Sequence, residues 1–176
     1  MKITVRKFTA KDTMDWDDFV NQSNNGTIFH LRSFLSYHID RKFIDNSLIF
    51  EKNGKVIAVF PATFEQMNGK NTLYSHPGAS FGGFVFQNIS FEDANNLIII
   101  LEQYSINNKF EKIFFVDTPS IYYRQLDDTL EYLLHWHNFS VKEYYISSKI
   151  NIAQFSSSLD YLNARKKRYV KSYLEN

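Results

Sequence analysis

The chain has 176 residues, a net charge of +1 and no cysteine. This length suits one domain or little more, the near-neutral charge excludes a protein that binds polyanions over its whole surface, and the absence of cysteine excludes disulfides, thiolate metal sites and cysteine nucleophiles. The longest apolar runs, such as residues 97–101, are far shorter than the ~20 residues that cross a bilayer, and residues 1–12 lack a signal-peptide apolar stretch. We expect a globular, cytoplasmic protein that is not transmembrane.

The first 40 residues predict one strand followed by two helical regions. Residues 2–6 alternate between apolar and polar side chains, which is typical of a strand. Thr9 or Asp12 can cap a helix over 13–22, and a second helical region is predicted over 27–40 after a turn-rich break. The first helix has its large apolar residues on one face: Trp16, Phe19 and Val20.

The next segment predicts an antiparallel meander of three strands. Residues 47–51 and 56–64 read as strands joined at Asn53-Gly54, a strong hairpin signal. Asn68-Gly69 predicts a second turn, and residues 72–75 a third strand.

The second half adds alternating helices and strands. Ser90 can cap a long helix, residues 112–117 form a short apolar strand of the buried kind, and Asp127-Asp128 begin another helix. A further strand is predicted over 141–152 and a final helix over 156–174. The order indicates an α/β (α+β) fold, with a mixed, largely antiparallel central sheet flanked by helices.

The segment Leu73–Phe86, LYSHPGASFGGFVF, holds three of the six glycines: Gly78, Gly82 and Gly83. Glycine permits positive φ and close approach of another backbone or a ligand. Loops carried on rigid strands often bind ligands. We therefore predict a kinked, exposed loop that leaves room for a guest molecule, along which a substrate chain lies. The favoured alternative is that these glycines only shape a bulge and a turn.

His76, beside Ser75, is a candidate general base because an imidazole titrates near neutral pH. The alternative is a histidine that hydrogen-bonds a nearby backbone group and fixes the turn. His30 follows a predicted helix start, where the preferred interpretation is a side chain bonded to backbone.

A second group of candidate binding residues follows the strand over 112–117: Asp117, Tyr122, Tyr123 and Arg124. Ligands of α/β sheets often bind beyond the carboxyl ends of strands, so these side chains could hydrogen-bond a sugar hydroxyl or a carboxylate. The alternative places Tyr122 in the core and leaves Arg124 as a surface charge.

Two other sequence features give weaker indications of function. His135 and His137 are two residues apart on a predicted helix and so point ~200° apart, which argues against a metal site; we expect no metal. Basic residues cluster over 165–171, but nucleic-acid recognition would need aromatic side chains interleaved with basic ones over a broad surface. We expect no DNA partner, and interpret the cluster as a solvated face or a linker helix.

The strings WDDFV, GTIFH, FLSYH, SLIFEKNGKVIAVFPA, SHPGASFGGFV, KIFFVDTPSIYYRQ and RKKRYVK occur in this order. In this pattern the chain resembles, over nearly its whole length, the FemAB-like branch of the GNAT acyltransferase superfamily. The resemblance implies a GNAT-like fold and transfer of an acyl or aminoacyl group, from a thioester donor such as acetyl-CoA, to an amine of a sugar or cell-surface precursor, as in polysaccharide biosynthesis.

The resemblance also implies roles for some residues. His76 would be the base, Tyr122 or Tyr123 would protonate a thiolate leaving group, and His30 would lie near the substrate groove. Residues 1–155 would form the first GNAT-like half, and 156–176 a basic linker helix toward a missing second half; the alternative is a homodimer.

Two departures keep a second function open. The sequence stops where the second half would begin, and it lacks the GNAT pyrophosphate loop, Gln/Arg-x-x-Gly-x-Gly/Ala before a helix, because FVF after Gly83 reads as strand. The alternative is therefore a non-catalytic half that binds the acceptor or packs against a partner.

Overall fold

A computed structural model describes residues 2–37, 42–144, 146, 153, 155–157 and 159–164. The chain divides into two compact units, residues 1–143 and 144–176. In the second unit residues 159–164 are helical, and the basic residues 165–171 lie outside the described residues. The predicted domain boundary between residues 155 and 156 stays a prediction.

The first unit contains the strands β1 (Ile3–Lys7), β2 (Ile44–Asp45), β3 (Leu48–Lys52), β4 (Lys55–Phe60), β5 (Thr63–Met67), β6 (Lys70–Ser75), β7 (Val85–Phe86) and β8 (Lys112–Phe115). Its α-helices are α1 (Thr13–Gln22), α2 (Arg32–Leu35), α3 (Phe91–Asn107) and α4 (Thr129–Trp136). Short 3-10 turns cover Ala10–Asp12, Ile28–His30 and Ser120–Tyr122.

The strands form two four-stranded sheets, in the orders β1-β3-β4-β7 and β2-β5-β6-β8. Every strand pair is antiparallel except β6 with β8. The chain passes from β4 to β5 through Pro61-Ala62, so the two sheets meet along one bent strand. The predicted α/β fold with a largely antiparallel sheet flanked by helices is confirmed.

Both predicted hairpin turns are present. Asn53 and Gly54 have φ of 55° and 72°, and Asn68 and Gly69 have φ of 53° and 76°. Positive φ at both central residues defines the type I′ turn, whose twist matches that of paired strands. These turns set the register of β3 with β4 and of β5 with β6.

The three longer helices begin where the sequence predicts. Thr9 and Asp12 form a capping box before α1, and the Ser90 side chain accepts a hydrogen bond of 3.1 Å from the backbone N–H of Asp93 at the start of α3. The apolar faces of α3 and α4 pack on the sheet through a buried core that includes Leu97, Leu101, Leu130, Leu133, Phe50, Phe60, Phe84 and Phe86.

Four expectations need correction. Over residues 27–37 the predicted helical region is a 3-10 turn, closed by bonds between Thr27 and His30, and the four-residue α2, while residues 38–40 lie outside the described part. The strand over 56–64 is broken where Pro61 offers no N–H. Strand β8 is half-buried, because β6 alone pairs with it within the described residues. Residues 141–144 are exposed and not in a strand; most of 145–152 lies outside the described part.

Within the described residues, no helix combines the length and apolar character needed to cross a membrane.

Candidate functional site

The glycine-rich segment interrupts one long strand line. β6 pairs with β5 and β7 pairs with β4, both antiparallel, so β6 and β7 run in the same direction along the bent strand β4–β5. The residues between them form a loop that leaves this line and returns to it. The N–H of Gly82 donates to the carbonyl of Val116 at 2.7 Å, and Gly82 bridges to Asp117 in parallel. The loop therefore ends against the carboxyl end of β8.

The two returning glycines are packed against protein atoms. A Cβ on Gly82 would stand 2.3 Å from the carbonyl oxygen of Ser75, and one on Gly83 would stand 2.4 Å from Oδ1 of Asp117. Gly83 also has a φ of +79°. The Ser75 hydroxyl donates to the carbonyl of Pro61 and accepts the N–H of Gly83 at 2.8 Å. These glycines allow a close backbone crossing, and Ser75 fastens its two ends.

His30 supports the same crossing from inside the protein and is fully buried. Its Nδ1 accepts the N–H of Thr27 at 3.0 Å, so the proton lies on Nε2, which donates to the carbonyl of Gly82 at 3.3 Å. Burial lowers the His30 pKa to about 4, and the two backbone hydrogen bonds oppose this only in part. His30 is therefore a neutral side chain at neutral pH.

His76 lies at the start of the loop and is 6% exposed. Its Nδ1 accepts the N–H of Gly78 at 3.1 Å, and its ring meets Phe43 edge-on at 5.0 Å. Gly78 is half-buried in the same turn. This contact shapes the turn; a catalytic role for His76 stays a prediction.

Asp117 is exposed to solvent at the end of β8. Even so, the protein around it raises the pKa of its carboxyl group to about 7, mainly by desolvation and further by the charge of Glu131. The exposure is that of the residue as a whole, while its Oδ1 packs against the buried Gly83. An accessible group that titrates near neutral pH suits proton transfer.

Tyr123 lies close to this carboxylate. The pKa of the phenol is raised well above its usual value, first by desolvation and then by the charge of Asp117, while a side-chain hydrogen bond from Asn25 opposes the shift. Its half-buried ring meets Phe86 edge-on at 6.2 Å. The structure thus brings together the Asp117 carboxylate, which can accept a proton, and the Tyr123 phenol, which stays protonated.

Tyr122 and Arg124 flank this pair and point elsewhere. Tyr122 is 52% exposed and its ring lies 5.6 Å from that of Phe81, so it is not a core residue. The exposed Arg124 guanidinium donates to the carbonyl of Asn21. The predicted site residues therefore form an enclosed group of His30, Ser75, Gly82 and Gly83, a loop turn with His76 and Gly78, and an accessible pair with two flanking side chains.

Sequence reasoning missed Asn24 and Asn25, which are both buried. The Asn25 amide donates to the carbonyl of Phe84 at 2.7 Å and accepts the N–H of Phe86 at 3.0 Å. The Asn24 side chain pairs with the backbone N–H and C=O of Gln125 at 2.8 and 2.9 Å. The two asparagines therefore join β7 to residues 124–125, as a strand would. The signal was present in NQSNNG, since adjacent amides can satisfy backbone donors and acceptors alike.

An open depression of about 320 Å³ lies beside these asparagines. Only polar residues line it: Gln22, Ser23, Asn24, Gln87, Asn88, Arg124 and Gln125.

The start of α3, which follows β7, is a poor place for the phosphates of a CoA-type donor. Ser90 already caps it, and Glu92 and Asp93 lie in its first turn. Lys52 contacts both oxygens of Asp93 at 2.8 Å and lowers its pKa. The partial positive charge of the helix end is thus already matched by carboxylates, which would repel a pyrophosphate. The residues at this helix end do not fit that group.

The histidines of α4 have protein partners or solvent. His137 Nε2 lies 2.9 Å from Oδ1 of Asn95, its Nδ1 lies 3.4 Å from Glu102, and His135 is exposed. Among the described residues there is no group of three side chains that could hold a metal ion.

No protein-family model matches this sequence, and a comparison with curated proteins gives no match. Solved structures do match. A ribosomal-protein-alanine N-acetyltransferase from Brucella melitensis biovar Abortus 2308 aligns over 85% of this chain and 100% of its own, at 9% identity and a TM-score of 0.53. The aminoglycoside N-acetyltransferase AAC(6')-Iy, solved in complex with CoA, aligns over 85% and 95%, at 16% identity and a TM-score of 0.51.

A transcriptional regulator from Bacillus halodurans C-125 is equally similar, at 12% identity and a TM-score of 0.53 over 85% of this chain and 100% of its own. Identities this low report on the fold alone. The chain therefore has the GNAT-like fold that the sequence pattern implies, and membership of the acyltransferase superfamily and of its FemAB-like branch remains a proposal.

Proposed function

We propose that this chain is an N-acyltransferase domain that transfers an acyl or aminoacyl group to an amine. The observation that carries the proposal is Asp117, an accessible carboxylate with a pKa of about 7 at the end of β8, beside the phenol of Tyr123. On a GNAT-type fold, the edge beyond the strand ends is a natural place for a ligand.

In this proposal Asp117 is the general base. Because the pKa of its carboxyl group is raised to about 7, the carboxylate is basic enough to take the proton of the attacking amine. The new bond joins the amine nitrogen to the acyl carbon, and the bond to the leaving group breaks. Tyr123 donates a hydrogen bond from its hydroxyl to the departing atom, while the Asn25 amide holds the phenol in place. His76, which the sequence suggested as base, would position the loop.

The identity of the donor and the acceptor also belongs to the proposal. Acyl-CoA is the donor that the sequence resemblance implies, but the acidic start of α3 offers no site for its phosphates. An acyl-CoA or other donor would therefore be held away from the start of α3. An amine of a sugar or cell-surface precursor as the acceptor, and a cytoplasmic location, rest on the sequence alone.

A second candidate function is a non-catalytic half that binds the acceptor and needs a second GNAT-like domain or a second copy to hold the donor. Two observations favour it: carboxylates occupy the start of α3, and Asn24 and Asn25 occupy the backbone groups at the edge of β7.

Acetylation of D-glucosamine with acetyl-CoA, measured across pH 5.5 to 8.5, tests the first candidate. Asp117→Asn should lower kcat roughly 10²- to 10⁴-fold and abolish the inflection near pH 7. The matched control is Asp18→Asn, on the exposed side of α1, which should leave turnover unchanged. Unchanged turnover in Asp117→Asn would exclude Asp117 as the base.

Thermal unfolding with acetyl-CoA separates the two candidates. A donor at 100 times its dissociation constant should stabilise the native protein by ~2.7 kcal/mol. No shift together with no turnover would favour the non-catalytic half.

A further inference from the structure

The open depression beside Asn24 offers hydrogen-bonding groups that the protein does not use. Within the part of the chain that the structure describes, the amide side chains of Gln22, Gln87 and Asn88 have no hydrogen-bond partner. Gln125 is held at its backbone N–H and C=O by Asn24, which leaves its side-chain amide available. Four amides on three separate segments thus face one volume of about 320 Å³, near the lower end of the ~300–1,000 Å³ of small-molecule sites.

The chemistry of this lining selects a class of ligand. Each amide supplies both donors and an acceptor. An anion would use only the donors of these amides, and a cation would favour carboxylates, none of which are among the lining side chains. The one charged lining residue, Arg124, donates to the carbonyl of Asn21. Hydroxyl groups, which both donate and accept, match such a surface best.

The depression is connected to the proposed reaction centre. Asn24 lines it, while the neighbouring Asn25 hydrogen-bonds Tyr123, whose phenol responds to the charge of Asp117. Arg124 and Gln125 directly follow Tyr123 in the chain. The lining of the depression is therefore joined to the proposed reaction centre through hydrogen bonds and adjacent residues of the protein itself.

We propose that the depression lined by Gln22, Gln87, Asn88 and Gln125 is the acceptor subsite and that it binds a polyhydroxylated amine, such as an amino sugar, through its hydroxyl groups. The role of the bound amine as acceptor rests on the proposed acyl transfer, whereas the binding of its hydroxyl groups does not depend on that proposal.

Saturation-transfer NMR with two probes tests the proposal. D-Glucosamine has a six-membered ring with hydroxyls, and cyclohexylamine has a similar ring and amine without them. The double variant Gln87→Ala/Gln125→Ala should weaken D-glucosamine binding roughly 10- to 30-fold, the effect of two lost hydrogen bonds. Gln103→Ala, an exposed amide on α3, is the matched control and should bind as the wild type does. Cyclohexylamine should not distinguish the variants.

Each outcome bears on one of the two proposals. Equal D-glucosamine binding by the wild type and a folded double variant, or no transfer to D-glucosamine in the wild type, would overturn the subsite. Loss of binding in the double variant, with retention in Asp117→Asn, is the expected result. If the subsite behaves so but no protein form acetylates D-glucosamine, the acyl-transfer proposal fails while the polyhydroxyl site stands.

Discussion

The two flanks of the Gly82-Gly83 crossing show opposite uses of burial. On the inner flank, His30 and Ser75 are fully buried and bond to backbone groups of the crossing. On the outer flank, Asp117 borders the same glycines and is exposed, and the adjoining Tyr123 is half-buried. Desolvation favours the neutral form of both groups, because it lowers the pKa of His30 and raises the pKa of Asp117. Accessibility is what makes Asp117, and not His30, a candidate for chemistry.

The largest expected effect comes from a substitution that disrupts the Gly82-Gly83 crossing. In Gly82→Ala the new methyl group would meet the Ser75 carbonyl oxygen and carbon at 2.3 and 2.4 Å, and backbone atoms cannot rotate away. We expect a loss of roughly 3 kcal/mol or more in the free energy of unfolding, measured by urea denaturation.

Gly69→Ala is the matched control for this effect. Gly69 has a φ of +76° but no atom within 4 Å of a Cβ, so it reports backbone strain without a clash. It should lose only about 1 kcal/mol. Equal losses in the two variants would mean that the crossing is not tightly packed.

The second prediction tests the inner flank through pH. The folded-state pKa of His30 is about 4, below the ~6.5 of an unfolded histidine, so between these values the unfolded chain binds more protons. The stability from this group is present above pH 6.5 and is lost as pH falls through 4. Between pH 7 and 4.5 it should contribute a fall of about 2–3 kcal/mol in the free energy of unfolding.

His30→Gln removes this titration. The variant should be less stable than the wild type at pH 7, with a smaller difference at pH 4.5, in urea unfolding at both values. A difference that does not change with pH would show that His30 is not held neutral.

Features that depend on residues close together in the sequence were predicted correctly, whereas those that depend on distant residues were not. The hairpins at Asn53-Gly54 and Asn68-Gly69, helix α1 and the Ser90-capped helix α3 are local patterns, and each was confirmed. The fold class followed from their order. The sequence also indicated the glycines and Asp117 as site candidates, because these residue types can be recognised without knowing their partners.

Long-range pairing could not be predicted in the same way. Asn25 bonds across 61 residues to Phe86, and Asn24 across 101 residues to Gln125. Nothing near NQSNNG specifies these partners. For the same reason the sequence could not tell that Gly82 and Gly83 approach Ser75 and Asp117, or that Pro61 divides one predicted strand between two sheets.

The third prediction sharpens the outer flank. The Asp117 pKa is raised from 3.8 to about 7, so between these values the folded state binds more protons than the unfolded chain. Stability from this group is present below pH 4 and is lost as pH rises through 7. Asp117→Asn removes the charge, so the variant should melt higher than the wild type at pH 8, with the gain disappearing toward pH 4.

Because solvent reaches Asp117, the gain should be small, about 2–4 °C in Tm at pH 8. Calorimetry at pH 4, 6 and 8 measures it, with Asp18→Asn as the exposed control. A variant that melts lower than the wild type at pH 8 would mean that a native cation compensates the carboxylate.

The smallest expected effect separates the two adjacent tyrosines. Tyr123→Phe loses the hydrogen bond with Asn25 and frees an amide that also holds β7, so it should cost about 1 kcal/mol in the free energy of unfolding. Tyr122→Phe keeps its contact with the Phe81 ring at an exposed position and should change stability by less than about 0.5 kcal/mol. The same pair tests function, because only Tyr123 adjoins Asp117: in an active protein Tyr123→Phe should lower kcat with little change in KM. A larger effect of Tyr122→Phe on kcat would contradict this assignment. The reacting groups would then lie beside Phe81 and not beside Asp117 and Tyr123.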